Sequence, residues 1–443
     1  MKAKIRGRLH SIFYFLVLIG FAPLSFFIFC IANLMRLFLR NTVMTRTNNK
    51  NILLTGGKMT KALQLARLLH KSGHKVYLSE VKKFSCSGHA FSTCIHKFVL
   101  LPNLNEGLSS YLSAIRNIVK TEKIDLVIPV ASPKVVHFDS HVKKALKDEC
   151  QFVHFDMEVL KLLDDKHRLC ETASELDLTA PEVHRITKSK DLDRIDFNLS
   201  KKKFILKNLS YDPLNRLDRP LIPFSGQTEY FNKFSFSEKN SWVLQEFIEG
   251  TEYCTHSMVY KGKVLLHCCC LSSEFQLRYK HIDHRQIFDW VSSFSKKLGL
   301  TGQISFDFIE NNKGEIMPIE CNPRTHSAVT TFYNSTRLAD TYVNPSSFVK
   351  CDVVIPREDA RETYWIYHEL FELFSAFSIT RLLEKTKLFT RGKEALFDVH
   401  DPLPFLMVYH WQIPLLLLTA IFTGEKWLRI DFNIGKLVEP GGD

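Results

Sequence analysis

Between Ile304 and Arg324 the chain reads ISFDFIENNKGEIMPIECNPR, two apolar runs joined by a polar turn, with an acid in the middle of each run. The residues from Asn311 to Glu315 carry the chemistry of a tight hairpin turn. Once two strands are joined this way, the turn decides which residues face each other. The pairing sets Asp307 beside Glu320, and the alternation of side chains puts Glu320 and Asn322 on one face. Like charges placed together on an apolar sheet destabilise it unless something neutralises them. Carboxylates and an amide oxygen suit a hard divalent cation such as Mg²⁺, which also engages substrate phosphates. Asp307, Glu320 and Asn322 are therefore candidate metal ligands, and Arg324 follows where a guanidinium meets a transferring phosphoryl group.

Upstream, ILLTGG reads as a buried strand ending in a glycine turn, and KMTKALQLARLLHKSG follows with helical periodicity. KVYLSEV, a helix over Leu108 to Thr121 and IDLVIPV continue the alternation, which predicts an open parallel α/β unit. Ligands in such units sit beyond the strand C-termini. That rule places Gly56, Gly57, Lys58, Ala131 and Ser132 at the mouth of a crevice, and the glycine turn reads as a cradle for a small substrate, with a purely structural tight turn as the alternative. TGGKMTK lacks the spacing of a phosphate-binding P-loop, which excludes that class of nucleotidase. Past Gln151 the texture changes to short strands and turns around a helix near Gln286 to Leu298, an α+β region. Helical signals return at Thr363 to Phe374.

Ser11 to Met35 is uncharged and long enough to cross a hydrocarbon core, so the N-terminus is expected to associate with a membrane as an anchor or interfacial helix. A second apolar run at Pro404 to Phe422 is interrupted by His410, Gln412 and Pro414 and reads as a packed or interfacial helix. Of the excess positive charge, eight Lys/Arg and no acid fall in the first fifty residues, so the remaining body is close to neutral and a nucleic-acid partner is not expected. Eleven cysteines without metal-knuckle spacing read as free thiols in a reducing compartment. With 443 residues the chain has room for several cores. The expected division is a hydrophobic segment at 1–47, a parallel α/β domain at 48–150, a two-lobed α+β domain at 151–345 and an α-rich extension at 346–443.

Three further signals precede the acidic hairpin. Lys166 follows two acids in LLDDK, and Lys207 lies inside the strand-like FILKNL, where a charge is out of place unless it reaches an anion. In LQEFIEGTEY an apolar strand runs through Gln245 and Glu246 to Phe247 and Ile248, whose backbone can pair with a flat purine edge. A turn at Gly250 then offers Glu252 to vicinal hydroxyls.

As an ordered set, from about Asn51 to Asn334, these segments resemble the ATP-grasp superfamily. The resemblance implies two α+β lobes that clamp ATP, behind a parallel α/β pre-ATP-grasp domain. It implies that Lys166 and Lys207 contact the phosphates and the adenine side, with Lys207 and Arg324 catalytic. It further implies that Gln245, Glu246, Phe247 and Ile248 form the adenine hinge and that Glu252 binds ribose. Asp307, Glu320 and Asn322 match the superfamily's Mg²⁺ ligands, and the loop holding Ser210, Tyr211 and Asp212 matches its lid. GGKMTKALQLAR, CTHSMV, TGQISFDFIE, IECNPRTHSAVTTFYN, TYWIYHE and the terminal DFNIGKLVEPGGD resemble, more narrowly, the mycosporine-glycine synthases, ATP-grasp ligases that join glycine to 4-deoxygadusol. That implies ATP and Mg²⁺ as cofactors, glycine and 4-deoxygadusol as substrates, and a catalytic body on the cytoplasmic side of any membrane it touches. Two other readings fit the same motifs: a carboxylate-amine ligase acting through an acyl phosphate, and a membrane-tethered nucleotide-binding protein without catalysis. His256, Arg278, His281 and His326 are weaker candidates for the substrate side.

Overall fold

In the computed structural model, which describes residues 2–39, 49–130, 132–195, 197, 202–209, 220–272, 277–375, 378–424, 427, 433 and 435, the predicted alternation becomes a five-stranded parallel sheet. Its order is Lys97–Leu101, Lys75–Val81, Asn51–Leu54, Leu126–Ile128 and Gln151–Phe152. Helices Thr60–Lys71, Leu108–Thr121 and Val135–Ala145 cover its faces, and Ile52, Leu53 and Leu54 in the central strand are fully buried. Burial on both faces is what a continuous apolar run without alternation requires. Gly56 takes a φ of +71°, and a Cβ there would lie 2.7 Å from the Val130 carbonyl oxygen, so the turn after this strand accepts only glycine.

The α+β region builds two antiparallel sheets. The smaller has the order Val183–Ile186, Trp242–Glu246, Phe204–Asn208; the larger has Lys263–Leu271, Gly250–Tyr260, Gly302–Asn311, Ile316–Asn322. Helix Arg285–Lys297 lies on the larger sheet and sets Trp290 and Phe294 edge-on to Phe306, with Trp290 also meeting Phe308. Cys268, Cys269 and Cys270 occupy one strand and are fully buried on both faces, and all eleven cysteines are free.

The C-terminal region is fastened to the parallel unit. Arg67, buried on helix Thr60–Lys71, donates from Nε to Asp401 at 2.9 Å and from Nη2 to the carbonyls of Leu396 and Asp401. Asp401 also accepts from Ser92 and Thr93. The helix expected from Thr363 begins only at Ile366, because Thr363 and Tyr364 pair with Arg278–Tyr279 on one side and Lys393–Glu394 on the other. The apolar N-terminus forms one helix, Lys2–Phe38, which contacts the C-terminal helical segment Leu403–Thr423 along much of its length.

Candidate active site

The acidic hairpin pairs in the expected register. Asp307 opposes Glu320 and Ser305 opposes Asn322, with a bulge immediately after Asp307 that re-aims the strand at this point. Asn322 Nδ2 donates to Asp307 Oδ2 at 3.3 Å, and Arg324 Nη2 donates to Asn322 Oδ1. Lys166 Nζ lies 3.6 Å from Glu320 Oε2. The two carboxyls differ in their environments. Burial, the neighbouring Glu320 and the more distant Glu252 raise Asp307 to about 8. Burial also pushes Glu320 up, but Lys166, Lys207 and Arg324 outweigh it and hold this carboxylate below its ordinary range. The pair therefore keeps one proton at neutral pH, on Asp307.

Lys166 is the first residue of helix Lys166–Glu175. Asp165 caps that helix by accepting from the His167 and Arg168 amides, and it also takes Arg185 Nη1 at 3.1 Å. The two acids before Lys166 are thus used separately: Asp165 starts the helix, while Asp164 faces Arg324 at 4.0 Å and His137 at 3.3 Å. Lys207 is buried, and its Nζ donates to Gln245 Oε1 at 2.6 Å. Gln245 in turn donates to the Ile319 carbonyl at 3.1 Å, tying the small sheet to the acidic hairpin. Its amide is engaged in orienting Lys207 and joining the two sheets. The Glu246 carboxylate is held by Lys202 Nζ and the Glu182 amide, each at 3.0 Å, and the Glu246 amide donates to the Glu182 carbonyl at 2.8 Å. The Phe247 amide donates to the Lys203 carbonyl, whereas the Ile248 amide makes no backbone hydrogen bond to any described residue. Glu252 accepts from the Ser272 hydroxyl at 3.3 Å. The expected lid residues Ser210, Tyr211 and Asp212, and Ala131 at the expected crevice, lie outside the described residues.

A cavity of about 690 Å³ opens beside this hairpin, lined by Glu320, Asn322, Arg324, Lys166 and Asp164. Its lining also includes Lys134, His137, Lys161, Arg168 and Arg185, which the motifs did not single out. Among the described residues neither Lys134 nor Arg168 is paired with an acid. The cavity is therefore rich in cations suited to an anionic ligand. A signal existed for part of this wall: Pro133 to His137 follows the end of a parallel strand, where the crevice rule places ligands.

The glycine turn is not a substrate cradle. Ser87 Oγ and His89 Nδ1 both meet the Gly57 carbonyl oxygen at 2.9 Å, and Lys58 is buried against Glu80 at 3.5 Å and over the Phe84 ring. Gly435 comes so close that a Cβ on it would be 2.2 Å from the Lys58 carbonyl oxygen. The chain itself fills this mouth. The weaker candidates are also engaged elsewhere: Arg278 forks onto Glu369, His256 meets the Tyr342 hydroxyl at 3.0 Å, and His281 meets the backbone of Cys269. None of these, nor His326, lines the cavity.

No protein-family model matches the sequence, and no curated protein matches it significantly. Solved structures do share its fold. An N5-carboxyaminoimidazole ribonucleotide synthetase solved as an ADP complex superposes with a TM-score of 0.57 over 78% of this chain and 88% of that one, at 13% identity. The biotin carboxylase domain of the Hydrogenobacter thermophilus 2-oxoglutarate carboxylase, solved with MgADP and bicarbonate, gives 0.52 over 67% and 70%, at 15% identity. An L-amino acid ligase from Bacillus licheniformis gives 0.50 over 65% and 70%, at 16% identity. With its acidic hairpin, its small three-stranded sheet and the parallel unit in front of them, the chain has the ATP-grasp fold.

Proposed function

We propose that this protein is an ATP-dependent C–N ligase that joins glycine to 4-deoxygadusol, giving mycosporine-glycine with release of ADP and phosphate. The observation that carries the ATP-dependent part is the convergence of Asp307, Glu320 and Asn322 with Lys166, Lys207 and Arg324 around the acidic hairpin, beside a cationic cavity that Glu320, Asn322, Lys166 and Arg324 line. These residues fit a divalent cation. The proton that Asp307 keeps marks a pair of carboxyls of which Lys166, Lys207 and Arg324 hold only Glu320 ionised, and a cation would take that proton's place. Mg²⁺ held by Asp307, Glu320 and Asn322 would supply charge neutralisation at the terminal phosphates of ATP.

The chain's own residues position and neutralise. Lys166, at a helix start, and Arg324 face the cavity and hold phosphate oxygens, while Gln245 orients Lys207 toward the nucleotide. The Ile248 amide and the Glu246 carbonyl serve the purine edge, and Glu252 takes the ribose hydroxyls. An enol hydroxyl of a vinylogous acid is a poor leaving group and its phosphate a good one, so transfer of the γ-phosphoryl to the enol oxygen prepares displacement by the glycine amine. Support for this substrate pair comes from the sequence segments GGKMTKALQLAR and IECNPRTHSAVTTFYN. The cationic wall favours a second reading, activation of a carboxylate as an acyl phosphate.

The test is a mass-spectrometric assay with Mg²⁺, ATP, glycine and 4-deoxygadusol, each omitted in turn while ADP is followed. A product at the mass of the glycine imine, formed only with all four, is the expected outcome. ADP release without it rejects the substrate pair. Hydroxylamine added to an acceptor screen then separates the two readings, because an acyl phosphate yields a hydroxamate and an enol phosphate does not.

A further inference from the structure

Two helices among the described residues are long and apolar enough to cross a membrane, Gly7–Phe38 and Leu403–Thr423. The way each is fastened argues against crossing. In the first, Ser11, Tyr14, Leu18, Ser25 and Ala32 are buried at alternating spacings of three and four, or their sum, a single seam running roughly 32 Å along the helix. Tyr14 packs edge-on to Phe371 with ring centroids 3.9 Å apart, Ser25 Oγ lies 3.1 Å from the Tyr367 hydroxyl, and Leu18 shares a core with Leu54 and Leu63 of the parallel unit. Arg8 donates to the Phe422 carbonyl while Leu18 meets His410, so the two helices run antiparallel along the body. The second helix is held at its middle and just past its C-terminal end. Gln412 accepts from the Gly88 amide, and Trp427, three residues past the helix-ending Gly424, is already in the core. Three residues reach at most about 10 Å, against a hydrocarbon thickness of about 30 Å.

The opposite side of the N-terminal helix is apolar and open. Leu16, Phe27, Leu34 and Phe38 are 59–82% exposed. Phe13 carries this surface onto Phe374, and Ile379 and Leu383 of helix Ile379–Arg391 extend it. A monomer in water leaves open patches of only a few hundred Å². Cations frame the surface: Arg8 and Arg36 on the first helix, and Arg381, Lys387 and Arg391 against the single exposed acid Glu384 on the other. A second copy of the chain would bring these like charges together, whereas anionic headgroups complement them.

We propose that this face is seated in one leaflet of an anionic bilayer, with the N-terminal helix lying in the interface and the protein body on the same side as its N-terminus. The proposal is independent of what the cavity binds. Cys30 lies exposed on the open face, and Cys86 and Cys351 are exposed elsewhere, so the chain carries its own probes. The full-length protein is mixed with vesicles of phosphatidylcholine alone or with phosphatidylglycerol added, floated, and treated with a water-soluble maleimide. Binding is expected to rise about tenfold with the anionic lipid. Bound protein should lose Cys30 labelling while Cys86 and Cys351 stay reactive. Full Cys30 labelling on floated protein overturns the proposal, as does Cys30 protection in a lipid-free dimer, which would make the occupant a second copy. In sealed membrane vesicles from expressing cells, an N-terminal tag and Cys351 should be reached from the same side; access from opposite sides means that the helix spans and refutes the inference.

Discussion

Asp307→Asn should make the metal-free protein more stable while abolishing its turnover. In the fold this carboxyl titrates near 8 instead of 3.8, raised by burial and by the negative Glu320 and Glu252. Stability tied to its protonated form is fully present below pH 3.8 and is lost as the pH rises through about 8. At pH 7 the gap corresponds to a ceiling of about 4 kcal/mol of penalty, at about 1.4 kcal/mol per pH unit. Water entering from the cavity and local relaxation lower it, and a gain of about 1–3 kcal/mol is expected from the isosteric amide, which still accepts from Asn322. For domains of this size that corresponds to roughly 2–4 °C in melting temperature per kcal/mol. The assay is thermal unfolding of wild type and variant in EDTA from pH 5 to 8.5. The difference should widen with pH and level off above 8, then shrink or reverse when Mg²⁺ is added, because only the wild type gains binding energy from the ion. A variant no more stable than wild type at every pH, or one that forms ADP at a normal rate, refutes the reasoning.

Other consequences follow from the same geometry. Apparent Mg²⁺ affinity, followed by calorimetry, should rise with pH up to about 8 and then flatten, since binding displaces the Asp307 proton. Arg324→Ala and Lys166→Ala should each lower kcat about 10²- to 10³-fold with the fold intact by circular dichroism. Arg67→Met, which strands the buried Asp401 far from the cavity, should cost about 3–5 kcal/mol in denaturant unfolding. Gly250→Ala should loosen the strand that carries Glu252, because its Cβ would stand 1.9 Å from the Glu310 carbonyl oxygen; an unchanged KM for ATP would count against the hinge placed there.

Where contacts are local, residues and structure agree closely. Helix Leu108–Thr121 falls on its predicted bounds, and the Asp307–Glu320 pairing follows from a hairpin whose turn leaves only one register. The alternation of strand and helix from Asn51 to Phe152 likewise needs only periodicity. The departures share one cause, partners distant in the chain. Thr363 and Tyr364 read as helix until strands 278–279 and 393–394 claim them. The glycine turn reads as a cradle until Ser87, His89 and Gly435 close over it.

The placement of the acidic hairpin was thus determined by the sequence alone: acids on neighbouring strands, an amide two residues on and an arginine beyond are spaced by strand geometry, which needs no knowledge of the rest. Tertiary structure alone decided how those groups are tuned and what faces them. The contrast between Asp307 and Glu320 arises because Lys166 and Lys207, 154 and 113 residues before Glu320, lean on one carboxyl more than the other. The cationic wall exists because Lys134, Arg168 and Arg185 come from three separate elements. Hydropathy marked the first helix as membrane-seeking, but its seam against Phe371 and Tyr367 is a long-range packing event. That seam decides which side of the helix stays open, because a single helix cannot say from its own sequence which of its apolar faces the body will cover.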